Sequence, residues 1–211
     1  MKKKEKKSSV TKSGLVKGAF IATIGIVLTK ILGIIYVIPF HAVIGDRGGA
    51  LYGYAYTIYL LFMSLSSAGI PLAISKIVSE YQTLGYYNAK RRAFVIGKKI
   101  ALLLGFVSFL LLLLFAPWIA HAVLGDLSGG NTISDVTLVI RVVASALLFV
   151  PVLSIYRGYF EGHRFMEYPS FSQVLEQLVR VLIIILGSFL ALKVFDLSIT
   201  TAVGIAAFGA T

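Results

Sequence analysis

The chain has 211 residues, of which 58% are hydrophobic and 14% are charged, and it contains no cysteine. Soluble domains are roughly 45–50% apolar, so this composition excludes a soluble fold. The absence of cysteine excludes disulfides and cysteine-based metal sites. His41, His121 and His163 lie far apart in the sequence, so we expect neither a metal site nor a cofactor.

Uncharged apolar runs longer than the roughly 18 residues of a membrane-spanning helix follow one another along the chain. They predict an all-α, polytopic transmembrane helix bundle. The predicted helices are Gly18–Phe40, Leu51–Ser79, Ile100–Leu124, Val136–Tyr156, Phe171–Ala191 and a sixth that begins near Ile199. A basic tail, residues 1–17, precedes a transmembrane region, residues 18–211. The segments Tyr81–Lys99 and Gly125–Ser134 are predicted to be connections.

The last apolar run is too short to cross a membrane. It covers about 13 residues from Ile199 to Thr211, whereas a spanning helix needs about 20. A helix that ended inside the bilayer would leave backbone carbonyls unsatisfied in hydrocarbon. We therefore expect the chain to be the N-terminal part of a longer, transporter-like protein.

The net charge of +11 is unevenly distributed, because 15 of the 20 Lys and Arg residues lie on alternate connections. This alternation is the positive-inside pattern. It predicts a multi-pass protein of the cytoplasmic membrane with its N-terminus in the cytoplasm. We interpret the lysine-rich tail as a contact with anionic membrane lipids, not as a nucleic-acid site.

Lys30 is the clearest polar residue inside a predicted span. It lies roughly 18 Å along the helix from Gly18, near the middle of the hydrocarbon core. A lysine there costs about 2.5–3.5 kcal/mol on insertion scales, so it should face water or an anion. Gly33 shares its face and would leave space beside it. The alternatives are an ion pair with a carboxylate of the fifth helix, or snorkelling from a tilted helix.

The second helix carries hydroxyl residues and a proline in its inner half. Pro71 is predicted to kink this helix, and nearby hydroxyls such as Ser67 would satisfy the freed backbone groups. Broken helices of this kind line transporter sites. The stripe Tyr52, Tyr56, Tyr59 and Met63 has helical spacing, and it fits ordinary packing as well as ligand contact.

The fifth helix opens with a polar face. Its members, spaced at i, i+3, i+4 and i+7, are Gln173, Glu176, Gln177 and Arg180. Glu176 and Arg180 are spaced for an ion pair, which would either join helices or line a transport pathway. Arg141, near one end of the fourth helix, is expected to snorkel. The chain carries no phosphate-binding loop, zinc-protease motif or nucleophile elbow, so we expect no enzyme.

Four segments, in order, resemble a known family. They are Thr29–Pro39, Ser67–Glu80, Arg157–Gly162 and Ser172–Arg180, and each is similar to a segment of the polysaccharide exporter/SpoVB branch of the MOP flippase superfamily. This branch includes the lipid II flippases of the MurJ type. The resemblance implies a two-lobed, MATE/MurJ-like transporter around a central cavity, with this chain as its N-terminal lobe and the C-terminal lobe absent from it.

The resemblance also implies a function. A flippase of this kind would move an undecaprenyl-diphosphate-linked saccharide, lipid II in particular, across the membrane by alternating access. Lys30 falls where MurJ-type proteins carry a cavity arginine, whereas Tyr36 and the Met63–Ser64 region occupy the places of other cavity arginines. We expect Lys30, Gly33, Ser67, Pro71, Glu176, Gln177 and Arg180 to line the cavity.

Two other functions remain open on the sequence alone. A cation-coupled drug antiporter of the related MATE group would need an acidic site inside the membrane, and Glu176 is the one carboxylate well inside a predicted span. A scaffold that binds cell-wall synthesis proteins would need no transport site at all.

Overall fold

The computed structural model of the chain describes residues 12–67, 69–125 and 130–211, with side chains from residue 18 onward. All regular structure in these residues is helical, which confirms the predicted all-α class. The helices are α1 (Lys12–Ile35), α2 (Val37–Ser67), α3 (Ile70–Leu84), α4 (Tyr87–Leu124), α5 (Ile133–Ala144), α6 (Val150–Gly162), α7 (Glu167–Leu182) and α8 (Ile199–Gly209).

Five segments of the described chain are long and apolar enough to cross a membrane. They are Gly18–Ile35, Val37–Leu84, Tyr87–Leu124, Ile133–Gly162 and Glu167–Val194, and α8 is a shorter apolar helix. The chain is therefore a multi-pass membrane protein. The five predicted helices all have a counterpart, but most observed helices extend further than the apolar runs alone. Residues 1–11 of the predicted basic tail lie outside the described residues, and α1 begins at Lys12.

The first two spans form a hairpin at Gly45. Hydrogen bonds from Tyr36 N to Leu32 O and from Phe40 N to Tyr36 O continue the helical pattern of α1 into the start of α2. Gly45 then adopts φ 66°, a left-handed conformation that glycine tolerates. The rings of Phe40 and Tyr52 lie 5.0 Å apart, although residues 12 apart in a straight helix would be separated by about 18 Å. The chain therefore folds back at Gly45.

The second span is broken at Gly69, and the prediction that Pro71 kinks a continuous helix is wrong. The helix α2 ends at Ser67, and Gly69 adopts φ 74° before α3 begins at Ile70. Pro71 is then the second residue of a new helix, where its missing N–H would have had no partner in any case. The glycine makes the break and the proline starts the next helix.

The predicted connection Tyr81–Lys99 contains the turn between the second and third spans, but most of its residues are helical. Only a tight turn separates α3 from α4, with Gly85 at φ 76°. The 38 residues of α4 correspond to about 57 Å of helix, which exceeds the roughly 30 Å hydrocarbon core. The basic residues at its start therefore belong to a helix that continues beyond the membrane.

Two departures from α-helical geometry interrupt the last spans. A single 3-10 turn, Ser145–Leu148, joins α5 to α6, because Pro151 cannot donate to the Leu147 carbonyl. Two wide π-helical turns, Ile183–Gly187 and Leu190–Val194, continue α7. The Ser188 hydroxyl, buried between these turns, donates to the Ile184 carbonyl.

Polar clusters mark the two faces of the bundle. At the face where α1 begins, called here the amino-terminal face, Lys90 Nζ donates to Gln82 Oε1 (2.6 Å) and His163 Nε2 (2.9 Å), joining α4 to the ends of α3 and α6. At the opposite face, Asp135 of α5 accepts from Arg47 (3.4 Å) and from Thr200 at the start of α8 (2.7 Å). Each cluster holds the ends of three helices together.

The packed core lies between α2, α4, α5 and α8. Its fully buried side chains include Leu51, Leu112, Ile140, Leu147 and Val203. Gly105 of α4 lies directly against the Leu147 carbonyl, and a Cβ there would collide with it. By contrast, α1 packs mainly along α7 and is otherwise exposed.

Candidate functional site

The helices α1 and α7 run in parallel, which aligns their polar residues. Three glycines of α1 face residues at successive positions along α7. A Cβ added to them would lie 3.1–3.5 Å from a facing side-chain atom, and the pairs are Gly18 with Met166, Gly25 with Ser170 and Gly33 with Gln177. Both helices therefore start at the amino-terminal face and stay in contact for more than two turns. Lys30 lies between the Gly25 and Gly33 contacts, so it shares the depth of the polar face of α7.

Lys30 is exposed on α1. Within the described residues, no carboxylate lies within ion-pair distance of its ammonium group. The alternative of an ion pair with the fifth-helix carboxylate is therefore not observed. Gly33 contributes little open space, because the Gln177 amide occupies the position beside it at ordinary contact distance.

Glu176 is instead held between two arginines. Arg180 Nη2 donates to Glu176 Oε1 at 3.0 Å, which confirms the predicted ion pair within α7. Arg157 of α6 donates to Glu176 Oε2 and reaches Ser172 Oγ at 3.4 Å. We call Arg157, Glu176 and Arg180 the arginine–glutamate triad. Its formal charge is +1, because two guanidinium groups share one carboxylate.

The triad is only partly accessible. The side chains of Arg157 and Arg180 are 19% and 21% exposed, and that of Glu176 is 36% exposed. The Nε atoms of both arginines are buried without a hydrogen-bond partner among the described residues. Each guanidinium therefore keeps one donor without a partner among the described residues.

Arg157 was missed as a site residue by the sequence reasoning. Its position after the fourth predicted helix suggested a loop cation, but it lies inside α6 and points to α7. The one indication of its role in the sequence was its position at the start of Arg157–Gly162, a segment that resembles the family. Gly158 and Gly162 of the same segment press against the backbone of α3 at Pro71 and Ser75, and this contact fixes the position of Arg157.

The tyrosine stripe of α2 forms an aromatic ladder. Tyr52 stacks on Tyr56 with ring centroids 5.3 Å apart, and Tyr59 follows at 5.9 Å from Tyr56. Tyr59 is 4% exposed, so the stripe belongs largely to the core. The packing interpretation of the stripe accounts for these contacts.

The remaining predicted site residues, Ser67 and Pro71, make no side-chain hydrogen bond to the triad among the described residues. Ser67 ends α2, where its hydroxyl lies 3.4 Å from the Met63 sulfur. Pro71 contributes its backbone to the α3–α6 contact. Among the described residues, no group of three acidic or histidine side chains is arranged to hold a metal ion.

Two arginines thus share one carboxylate within spans that are long and apolar enough to cross a membrane. The sequence model of the polysaccharide biosynthesis protein family matches residues 15–211, so the chain belongs to this family.

Among individual proteins, the chain is 42% identical over 199 residues to the lipid II flippase MurJ of Bacillus subtilis. It is 32% identical over 177 residues to the uncharacterized membrane protein YabM and 31% identical over 172 residues to stage V sporulation protein B, both of the same organism. No solved structure matches the chain.

These alignments cover most of this chain and a minority of each relative. They include 94%, 84% and 82% of the chain, but only 37%, 31% and 32% of MurJ, YabM and stage V sporulation protein B, respectively. The chain therefore spans about a third of the length of these relatives. A flippase is a transporter and not an enzyme, in agreement with the lack of enzyme motifs in the sequence.

Proposed function

We propose that this chain is the N-terminal lobe of a longer flippase that moves an undecaprenyl-diphosphate-linked saccharide, lipid II in particular, across the cytoplasmic membrane. The 42% identity to a lipid II flippase and the match to the polysaccharide biosynthesis family support this proposal. A second lobe, corresponding to the part of the relatives that the chain does not span, would complete the cavity. Lys30, Gln177 and the triad would line it.

The observation that carries the proposal is the excess of positive charge at one depth of the membrane. Lys30, Arg157 and Arg180 carry three positive charges at this level, and Glu176 balances one of them. A charge inside hydrocarbon is costly unless it meets water or an opposite charge. A diphosphate headgroup is an anion, and it is also costly to place in hydrocarbon. A hydrated cationic cavity would therefore lower the energy of the cationic side chains and of the headgroup. The lipid tail would meanwhile remain in the bilayer.

The alternative of a cation-coupled antiporter fits this arrangement less well. Such a protein needs a carboxylate free to bind a cation or a proton inside the membrane. Glu176 already accepts hydrogen bonds from two arginines, which compete with any cation for its oxygens. A site with this charge favours an anionic ligand.

Substitution of Lys30 tests the proposal directly. In the full-length protein, Lys30→Ala should abolish complementation of a flippase-depleted strain, since the headgroup loses its contact on α1. Lys30→Arg should retain at least part of the activity, because it keeps the charge and adds a bidentate fork for phosphate oxygens. Membrane abundance of each variant, measured by immunoblot, separates lost transport from lost folding. Wild-type growth with Lys30→Ala at normal abundance would refute the proposed role of Lys30.

We also propose that the amino-terminal face is cytoplasmic, on the basis of the positive-inside pattern. Asn88 and Gly130 are exposed at opposite faces, and the chain has no native cysteine to interfere. Gly130→Cys should react with an impermeant maleimide in intact cells, whereas Asn88→Cys should react only after permeabilisation. Reaction of Asn88→Cys alone in intact cells would reverse the proposed orientation.

A further inference from the structure

A groove between α4 and α5 has no role in the proposed transport cavity. Its volume is about 790 Å³, and its lining includes Pro117 of α4 and Thr137, Leu138 and Arg141 of α5. The lining is mainly apolar, and Leu138 is 46% exposed within it. The groove is open at the surface of the bundle and lies on other helices than Lys30 and the triad.

Arg141 is the one cation that lines this groove. Its side chain is exposed, and within the described residues no hydrogen bond or ion pair engages it. The nearest carboxylate along α5, Asp135, is already bound by Arg47 and Thr200 at the opposite face. Arg141 therefore leaves a positive charge uncompensated at the wall of an apolar groove.

Arg141 and the exposed Trp118 lie at similar distances from the ends of their helices. Arg141 lies eight residues after the start of α5 at Ile133, or about 12 Å along the helix. Trp118, which is 72% exposed beside Pro117, lies six residues before the end of α4, or about 9 Å. Exposed tryptophans gather at the headgroup level of membranes, and the long side chain of Arg141 is able to extend toward that level.

We propose that this groove binds one anionic phospholipid, with the lipid phosphate at Arg141 and an acyl chain along the apolar lining. The charge selects an anionic headgroup, because a zwitterionic lipid would not neutralise Arg141. The guanidinium offers a planar pair of donors for phosphate oxygens, and its aliphatic stem packs on apolar surface. Ser134 supplies a hydroxyl at the mouth of the groove.

Native mass spectrometry of the full-length protein, with stepwise addition of phosphatidylglycerol or phosphatidylcholine, tests this site. The wild type should retain one phosphatidylglycerol more tightly than the next, and should not retain phosphatidylcholine in this way. Arg141→Gln should weaken the tight site by roughly tenfold or more, the scale of a lost hydrogen bond between charged groups. Arg141→Lys should lose less.

Two further variants separate a built site from general attraction. Lys193→Gln removes another exposed cation, outside the groove, and should leave the tight site unchanged. Leu138→Trp keeps Arg141 but fills the groove, and should also lose the tight lipid. Equal binding by Arg141→Gln, or an equal loss in Lys193→Gln, would overturn the proposal. Displacement of phosphatidylglycerol by much lower concentrations of undecaprenyl diphosphate would overturn it in favour of a substrate-lipid site. None of these results depends on transport activity.

Discussion

The Gly18–Ile35 span of α1 and the Ile133–Gly162 span of α5 and α6 are packed very differently. In the most apolar 18 residues of each span, 11% of the residues are buried in the α1 span and 44% in the α5–α6 span. The buried residues of α5 are mostly Val, Ile and Ala, and Thr137 satisfies its hydroxyl on its own helix. By contrast, α1 carries an exposed lysine and rests on the polar face of α7.

This difference separates stability from the candidate site. The packed core of α2, α4, α5 and α8 resembles a protein interior, where a change of one methyl group has an energetic cost. The α1–α7 pair holds Lys30, Glu176 and Arg180, and α1 has few neighbours besides α7, which leaves room for water, a headgroup or a second lobe. Substitutions in the two regions should therefore differ in whether they change folding or transport.

The largest loss of stability is expected from substitution of Glu176. Such a loss would show that one strong polar contact outside the core contributes to folding. Glu176→Gln strands two partly buried arginines, and breaking a buried pair costs about 3–5 kcal/mol, less where water reaches the groups. Arg157→Gln should cost less, because the Glu176–Arg180 pair remains. Thermal unfolding of the full-length protein in detergent measures both.

Glu167→Gln is a suitable control, since Glu167 is an exposed carboxylate at the start of the same helix. It should leave the unfolding temperature nearly unchanged. Equal losses in Glu176→Gln and Arg157→Gln would contradict the shared-carboxylate arrangement.

A smaller loss is expected from Gly105→Ala, which tests the packing of the core. The added methyl group would collide with the Leu147 carbonyl, and such overpacking costs typically about 1–3 kcal/mol. Gly53→Ala, where no atom lies within 4 Å, should stabilise its helix by about 0.5–1 kcal/mol. Gly33→Ala meets Gln177 at ordinary contact distance and should be tolerated. Similar unfolding temperatures for all three variants would mean that the core is less tightly packed than described.

The smallest effect is expected from Arg47→Gln at the opposite face. The Arg47 side chain is 46% exposed, and its distance to Asp135 is 3.4 Å. Exposed ion pairs contribute at most about 1 kcal/mol, so the unfolding temperature should change little. A loss larger than that of Gly105→Ala would show that the bundle depends on its face clusters more than on its core.

Much of this architecture follows from hydropathy. The five spans and the turn after Leu124 could be predicted because bilayer thickness imposes a long apolar run on each helix. The helix ends at Lys12, Leu84 and Tyr87 could not, since charged residues outside the bilayer are compatible with helix as well as with loop. Proline at position 71 also misled the prediction, because proline breaks a helix interior but suits a first turn.

The candidate site was predictable in part. The spacing of Glu176 and Arg180 gave their ion pair, since neighbours on one helix are fixed by its period. The contact of Arg157 with Glu176 depends on how α6 packs beside α7, and no local pattern encodes it. The segments that resemble the family contain both Arg157 and Glu176, but the resemblance does not indicate that the two side chains contact each other.

The two π-helical turns after α7 have a consequence for chain length. A π turn accommodates one residue more than an α turn does, so each behaves as a local insertion. Deleting a residue within Ile183–Gly187 would therefore restore α-helical winding without turning the rest of α7. Deleting a residue between Arg180 and this turn would instead rotate the start of α7 by about 100° relative to the later turns, and Glu176 would face away from Arg157. The π turns thus make this segment tolerant of a change in residue number that the regular part of α7 does not allow.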